Sequence, residues 1–497
     1  MSLIGLDLNA TRARAVQGPI QNLPAPLRLD GERRDMPLAL SLEGRTPEVG
    51  RAGTLLCRRA PHLTCLDFLP YLDQQHTWTA GKHQLDAEQA LGFVFRELQT
   101  TCGRAKGVAI ALPAYLTEAQ ALRTGRVAEQ AGLHIHVVFP TPVAAALAAQ
   151  PLLPWTGLAL VVDIDGAALT WSAVTVDAKE ARLIECQSSP RLALATWLNR
   201  LLEYVADRCV RLTRRDPRQS AEAEQALYDQ LSALFAADLP GDRIDLHLNA
   251  EQWSQHLMLH PADLAACCTP LVQQTLSLMR GFLAKATGHG PAAAVLVTPA
   301  AARLPGLVPA LEEALGEPAP KKPRKSSESE DDFGDCLLLE DEVAAAQVHV
   351  LEEDAVARAA HFLAGRVSRG DLVRGYHEVV PLPQGAVADP GPARLQFRGQ
   401  EHPLNEGTFT LGRASDCDIV FETELYPTVS ARHCEIVLDR RAYTLRDRSR
   451  HGTLVNDRPV AQQVALHSGD WIRLGPSGPV LRFLGQPLQK SRNVTKL

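Results

Sequence analysis

Apolar positions recur along this chain in two rhythms. Over residues 1–372 short unbroken apolar runs alternate with stretches of helical spacing. Ile4-Gly5-Leu6-Asp7-Leu8 reads as a buried strand, as do Val108–Leu112, His136–Phe139 and Leu158–Asp163, with Thr170–Val176 pairing the last. Between them, Ala87, Ala90, Leu91, Val94, Phe95 and Leu98 follow the 3.6-residue period. Thr117 stands as the N-cap and Gly132 as the stop of a second helix, and Pro142 opens an alanine-rich third. Long amphipathic patterns at 192–212, 221–236 and 261–287 follow. Strands alternating with helices predict an α/β domain with covered sheets. From 393 to 487 the rhythm changes to period two: Cys434, Ile436 and Leu438 alternate with polar neighbours, as do Tyr443 and Leu445. Several short strands with turn residues between them predict a small all-β sandwich whose loops carry the chemistry.

Polar stretches mark the joints. Residues 318–335 are basic and then acidic with almost nothing apolar, which predicts a solvated, disordered loop. A Pro/Gly linker is expected over 373–392 and a flexible tail over 488–497. No internal repeat is evident in the residues. The net charge of −6 over 497 residues gives no reason to expect nucleic acid or an anionic membrane as partner. Ten cysteines without a CxxC fit a reducing cytoplasm. The run Ile135–Val162 lacks Asp, Glu, Lys and Arg, but Pro140, Pro142, Pro151 and Pro154 argue against a membrane helix there.

The loops of the C-terminal region are specific. Phe-Thr-Leu-Gly-Arg at 409–413, Ser-Ala-Arg-His at 430–433, His-Gly-Thr-Leu-Val-Asn at 451–456 and Gly-Asp-Trp-Ile-Arg-Leu-Gly at 469–475 follow in order. This region, about 393–485, closely resembles the forkhead-associated (FHA) domain, which binds phosphothreonine peptides. The resemblance implies that Arg413 pairs with the phosphate and that Ser430 hydrogen-bonds a phosphate oxygen. His433 would brace the loop from within, and Gly412 and Gly452 would be structural. A phosphate dianion suits such a guanidinium fork with hydroxyl and amide donors. Arg432 and Arg450 are further candidate cations. Where the family has Ser/Thr-Asn before Gly-Thr, this chain has Arg450-His451, so His451 replaces an amide as the group facing the peptide. A sandwich used only for packing, with Arg413 as a surface charge, is the bland alternative. The implied partner is a phosphothreonine-containing product of a Ser/Thr kinase.

Residues 1–370 resemble the ATPase domain of the 70-kilodalton heat-shock chaperones, of the actin-like ATPase superfamily. Ala-Leu-Pro-Ala-Tyr-Leu-Thr-Glu-Ala-Gln at 111–120 carries the resemblance most strongly, with Ala131-Gly132-Leu133, Pro140–Ala146, Arg303-Leu304-Pro305 and Ala355–Ala360. It implies a two-lobed α/β fold. The chemistry departs from the family. ATP chemistry needs glycine turns that approach phosphates and carboxylates for Mg²⁺ and water. The first phosphate turn is Asp7-Leu8-Asn9-Ala10-Thr11, retaining Asp7 and Thr11; the second is Asp163-Ile164-Asp165-Gly166-Ala167, retaining Asp163 and Gly166. Thr141 replaces the family's glutamate, Thr298-Pro299-Ala300-Ala301-Ala302 replaces its adenosine-side turn, and no lysine lies between Cys65 and Tyr71. These changes predict that hydrolysis is lost and that no cofactor is needed, with ATP and Mg²⁺ as the alternative. Asp7 and Asp163 are either turn caps at strand ends or the remains of a metal site; no catalytic residue is expected. The function expected is a phosphothreonine-dependent adaptor. A nucleotide switch or ATPase controlling the FHA module is the alternative.

Overall fold

The computed structural model describes residues 2–316, 347–382 and 393–484, apart from short stretches at 21–23, 104, 151–156, 178, 237–242, 251–252, 287–291, 398–399, 405–407, 424, 440–441, 456–457, 461, 467–469 and 477. The charged stretch 318–335, residues 383–392 of the Pro/Gly linker and the tail 488–497 lie outside the described residues. Contacts divide the chain into two compact units, with the main boundary after Leu382.

The N-terminal unit is built around two sheets of the same plan. In the first, Ser2–Leu8 pairs antiparallel with Arg12–Pro19 and parallel with Val108–Leu112, which pairs parallel with Ile135–Pro140. In the second, Gly157–Ile164 pairs antiparallel with Leu169–Val176 and parallel with Ala292–Val297, which pairs parallel with Gln347–Val350. Each sheet therefore sets its first strand between its second, antiparallel strand and two later strands that run parallel to the first. Alternation divides the first strand between two cores. Ile4, Leu6 and Leu8 join one cluster with the helix Ala87–Cys102, and Leu3 joins another on the opposite face.

That second cluster holds two helices between the sheets, Thr141–Ala149 and Ala355–Arg369. Ala144, Ala145, Ala146, Ala359, Ala360 and Ala364 line it, so the helices approach closely. At Gly5 a Cβ would run into the Ala357 carbonyl and the His361 backbone, so only glycine lets the last helix lie on this strand. The predicted N-cap at Thr117 forms a full capping box with Gln120.

The linker expected from 373 starts later. Gly375–Tyr376 adds to the first sheet beside Ile135–Pro140, and Val379–Pro381 adds to the second beside Glu180–Ser189. Edge strands hidden in a Pro-containing stretch satisfy backbone groups that a linker would leave to water.

The C-terminal unit is a sandwich of a six-stranded and a five-stranded sheet. Leu395, Ile472, Leu474, Leu481 and Phe483 of one sheet meet Leu411, Ile436 and Leu445 of the other in one core. Among the described residues of the chain no helix is long and apolar enough to cross a membrane.

Candidate functional site

At one end of the sandwich three loops converge. The strand Thr408–Gly412 ends against the loop before Cys434–Asp439. A Cβ at Gly412 would collide with the Ala431 carbonyl, so the glycine permits this contact. Arg413 N–H donates to Ser430 O at 3.1 Å and Ala414 N–H to Ala431 O at 2.8 Å. His433 fastens the second loop to the third. Its side chain is buried, its Nδ1 accepts from Ser430 N–H at 3.0 Å, and its Nε2 donates to Gly452 O at 3.2 Å. Burial pushes its pKa down, which keeps the ring in the neutral form that this donor–acceptor pair requires. Gly452 has φ of 79°, the left-handed region that glycine enters without strain.

Held this way, Ser430 Oγ accepts from Arg450 N–H at 3.1 Å, leaving its own O–H to donate outward. Arg413 is half-buried. Its Nη1 donates to Thr423 Oγ1 at 3.4 Å, while its Nε is shut off from solvent with no partner among the described residues. Arg450 and His451 are exposed on the third loop. Arg432 is different: its guanidinium pairs with Asp416, whose carboxylate it holds below the usual range, and both are exposed. Thus Arg413, Ser430 and the Arg450 backbone gather at one rim, and Arg432 is engaged with its own acid.

Two groups escaped the sequence reading. Asp447 Oδ1 accepts from Ser449 N–H at 3.0 Å and Thr453 Oγ1 at 2.8 Å, shaping the third loop. The Asp-x-Ser spacing was a readable signal for that turn. Thr423, which touches Arg413, had no signal, because the contact spans two loops.

The N-terminal unit has a second convergence. The turn after Ser2–Leu8 and the turn after Gly157–Ile164 occupy equivalent places in the two sheets, and they bond to each other. Asp165 Oδ2 accepts from Ala10 N–H at 3.0 Å and from Tyr115 O–H at 2.6 Å; its Oδ1 accepts from Ala167 N–H at 2.9 Å and Ala168 N–H at 3.0 Å. Thr11 Oγ1 accepts from Gly166 N–H at 2.6 Å. Asn9 Oδ1 accepts from the N–H groups of Thr11 and Arg12, both at 2.9 Å.

Asp7 is buried and pairs with Arg12 at 3.1 Å. Asp163 accepts from Thr298 Oγ1 at 2.7 Å and from Ile164 N–H at 2.9 Å. Asp67, in the lysine-free stretch between Cys65 and Tyr71, lies against Gly166, so that a Cβ at 166 would strike its carboxylate. Burial pushes Asp163 up to about 7; burial and then the neighbouring Asp165 push Asp67 up to about 6. Burial raises Asp165 as well, against the pull of its donors. Among the described residues no group of three or more His, Cys, Asp or Glu side chains is placed to hold a metal ion.

Residues 409–475 match the family model of the FHA domain. No curated protein matches the chain. The match falls on the loops just described, and the C-terminal module is an FHA domain over those residues.

Proposed function

We propose that this chain is a phosphothreonine-dependent protein-binding adaptor. Its FHA module takes the phosphorylated partner, the product of a Ser/Thr kinase. Its N-terminal unit is a chaperone-like scaffold of the actin-like ATPase type that works without nucleotide in the cytoplasm. The observation that carries the reading is the half-buried Arg413, whose Nε has no partner among the described residues, beside a Ser430 hydroxyl free to donate. A half-buried guanidinium with unspent donors is suited to a phosphate's oxygens. Arg413 supplies the main charge, Ser430 one hydrogen bond, and Arg450 and His451 the contacts to the peptide. Arg432 stays paired with Asp416 beside the site, and Gly412, His433 and Gly452 hold the loops. The test is an oriented phosphothreonine peptide library offered to the full chain. Phosphorylated members bind and their unphosphorylated counterparts do not; equal binding of both rejects the adaptor.

The scaffold half of the reading is supported by the two sheets of one plan with two helices between them. It is supported equally by the spent donors of the two turns. The N–H groups of residues 10, 166, 167 and 168, which an ATPase of this kind would turn toward phosphates, already serve Asp165 and Thr11. Thr11 and Gly166 are bonded to each other, Asp7 is paired with Arg12, and Asp163 accepts from Thr298. ATP with Mg²⁺ therefore leaves the melting temperature of the full chain unchanged. A ligand at 100 times its Kd would stabilise the chain by about 2.7 kcal/mol, so a clear upward shift favours the nucleotide-switch alternative.

A further inference from the structure

The contact between Arg413 and Thr423 has a use that phosphopeptide binding alone does not require. We propose that Thr423 is itself a phosphorylation site, and that its phosphate occupies Arg413 from within and shuts the module to partners. The proposal rests on the phosphothreonine reading above. Thr423 is exposed, and its Oγ1 lies 3.4 Å from Arg413 Nη1. Tyr426 N–H donates to Glu422 O at 3.0 Å, closing a single turn that holds Thr423 on the rim of the site. The local sequence is Phe421-Glu422-Thr423-Glu424-Leu425, so the acceptor hydroxyl has an acid on either side. Such a flank suits a kinase whose substrate groove is basic.

The chemistry balances with ATP as the phosphoryl donor and a Ser/Thr kinase as catalyst. The Oγ1–H bond of Thr423 breaks and its proton passes to the kinase's base. A bond forms from Oγ1 to the γ-phosphorus, and the bond from that phosphorus to the bridging oxygen breaks to release ADP. The product carries about −1.5 to −2 charge near pH 7 and three acceptor oxygens. It stands beside a guanidinium that has a solvent-shielded Nε without a partner among the described residues. Charge-assisted, two-point pairing is the expected result. An intramolecular phosphate competes at an effective concentration on the order of millimolar, which a partner of ordinary affinity does not match. The carboxylate of Glu422 could not do this alone, because it lacks the third oxygen and the second charge.

The test uses three forms of the full chain: unmodified, Thr423→Val, and phosphothreonine installed at 423 by codon suppression. The probe is the tightest phosphothreonine peptide selected from the library on the unmodified chain. Unmodified and Thr423→Val chains bind it within about twofold of each other. The 423-phosphorylated chain binds at least about tenfold more weakly with an unchanged melting temperature, and phosphatase treatment restores it. Equal affinity of the phosphorylated chain overturns the proposal while leaving the adaptor standing. A comparable loss in Thr423→Val also overturns it, because the hydroxyl itself would then be the contact. A lowered melting temperature accompanying the loss overturns it too, because the phosphate would then act by loosening the module. If the unmodified chain does not distinguish phosphorylated from unphosphorylated peptide, the adaptor reading falls and the switch with it.

Discussion

The two convergences of turns in this molecule use the same materials and end in opposite conditions. In the N-terminal unit, backbone N–H groups at the ends of two equivalent strands point into a junction, and Asp165 and Thr11 receive them. In the FHA module, strand-end loops are tied by His433, yet Arg413 Nε and the Ser430 hydroxyl proton are left without internal acceptors among the described residues. Donors left unspent beside a loop hydroxyl at a rim are the groups that a phosphate's acceptor oxygens suit. The N–H groups of the first junction, by contrast, have their acceptors in Asp165 and Thr11. A fold therefore says less about function than the accounting of its donors does.

The largest way to break this contrast is to open the closed junction. Asp165→Ala removes the acceptor of three N–H groups and the Tyr115 hydroxyl. Orphaning buried donors costs about 1–3 kcal/mol each before water enters, so the net loss is on the order of 2–4 kcal/mol. Chemical denaturation of the full chain reads it as an early transition belonging to the N-terminal unit. A variant as stable as wild type would mean that the two turns are not held by this carboxylate.

A smaller effect sharpens the electrostatics of the same junction. Asp67 has an ordinary pKa of 3.8 and is pushed up to about 6 by burial and by Asp165. An acid whose folded pKa is raised binds more protons folded than unfolded between those two values. Its contribution to stability therefore falls as pH rises through about 4 to 6, and its cost is complete above that window. Asp67→Asn removes the cost, and Asn also tolerates the φ of 51° found there. Asp67 is exposed at the surface, so solvent screens most of this cost; the variant gains only on the order of 0.5–1 kcal/mol over wild type at pH 7.5, and the gain shrinks toward pH 4. Paired melts at pH 4.5 and 7.5 check it. A gain independent of pH would assign the effect to backbone geometry alone.

Much of this architecture was legible in the residues. The period of Ala87 to Leu98, the capping box at Thr117 and the alternation of Cys434, Ile436 and Leu438 each report local structure, and local structure is what periodicity encodes. The FHA loops were legible because Gly412, Ser430 and His433 are unusual residues at fixed offsets. What stayed hidden depends on distant groups meeting. The two sheets repeat one strand order with no repeat in their residues, since many apolar sequences fill the same pleat. Asp165 looked like an acid set against a phosphate, and its bonds to Ala10 and Tyr115 span 155 and 50 residues. Gly375–Tyr376 and Val379–Pro381 read as linker because two or three residues carry no period, although each completes a sheet edge.

The central claim is that Arg413 receives the phosphate of a phosphothreonine partner. It is tested most directly by titrating the full chain, wild type and Arg413→Ala, with one phosphothreonine peptide and its unphosphorylated twin. Wild type binds only the phosphorylated peptide. The variant loses on the order of 2–5 kcal/mol of that binding, because a desolvated charge pair is deprived of its cation. It retains the wild-type melting behaviour of the FHA module. An Arg413→Ala chain that binds the phosphorylated peptide as tightly as wild type would contradict the account.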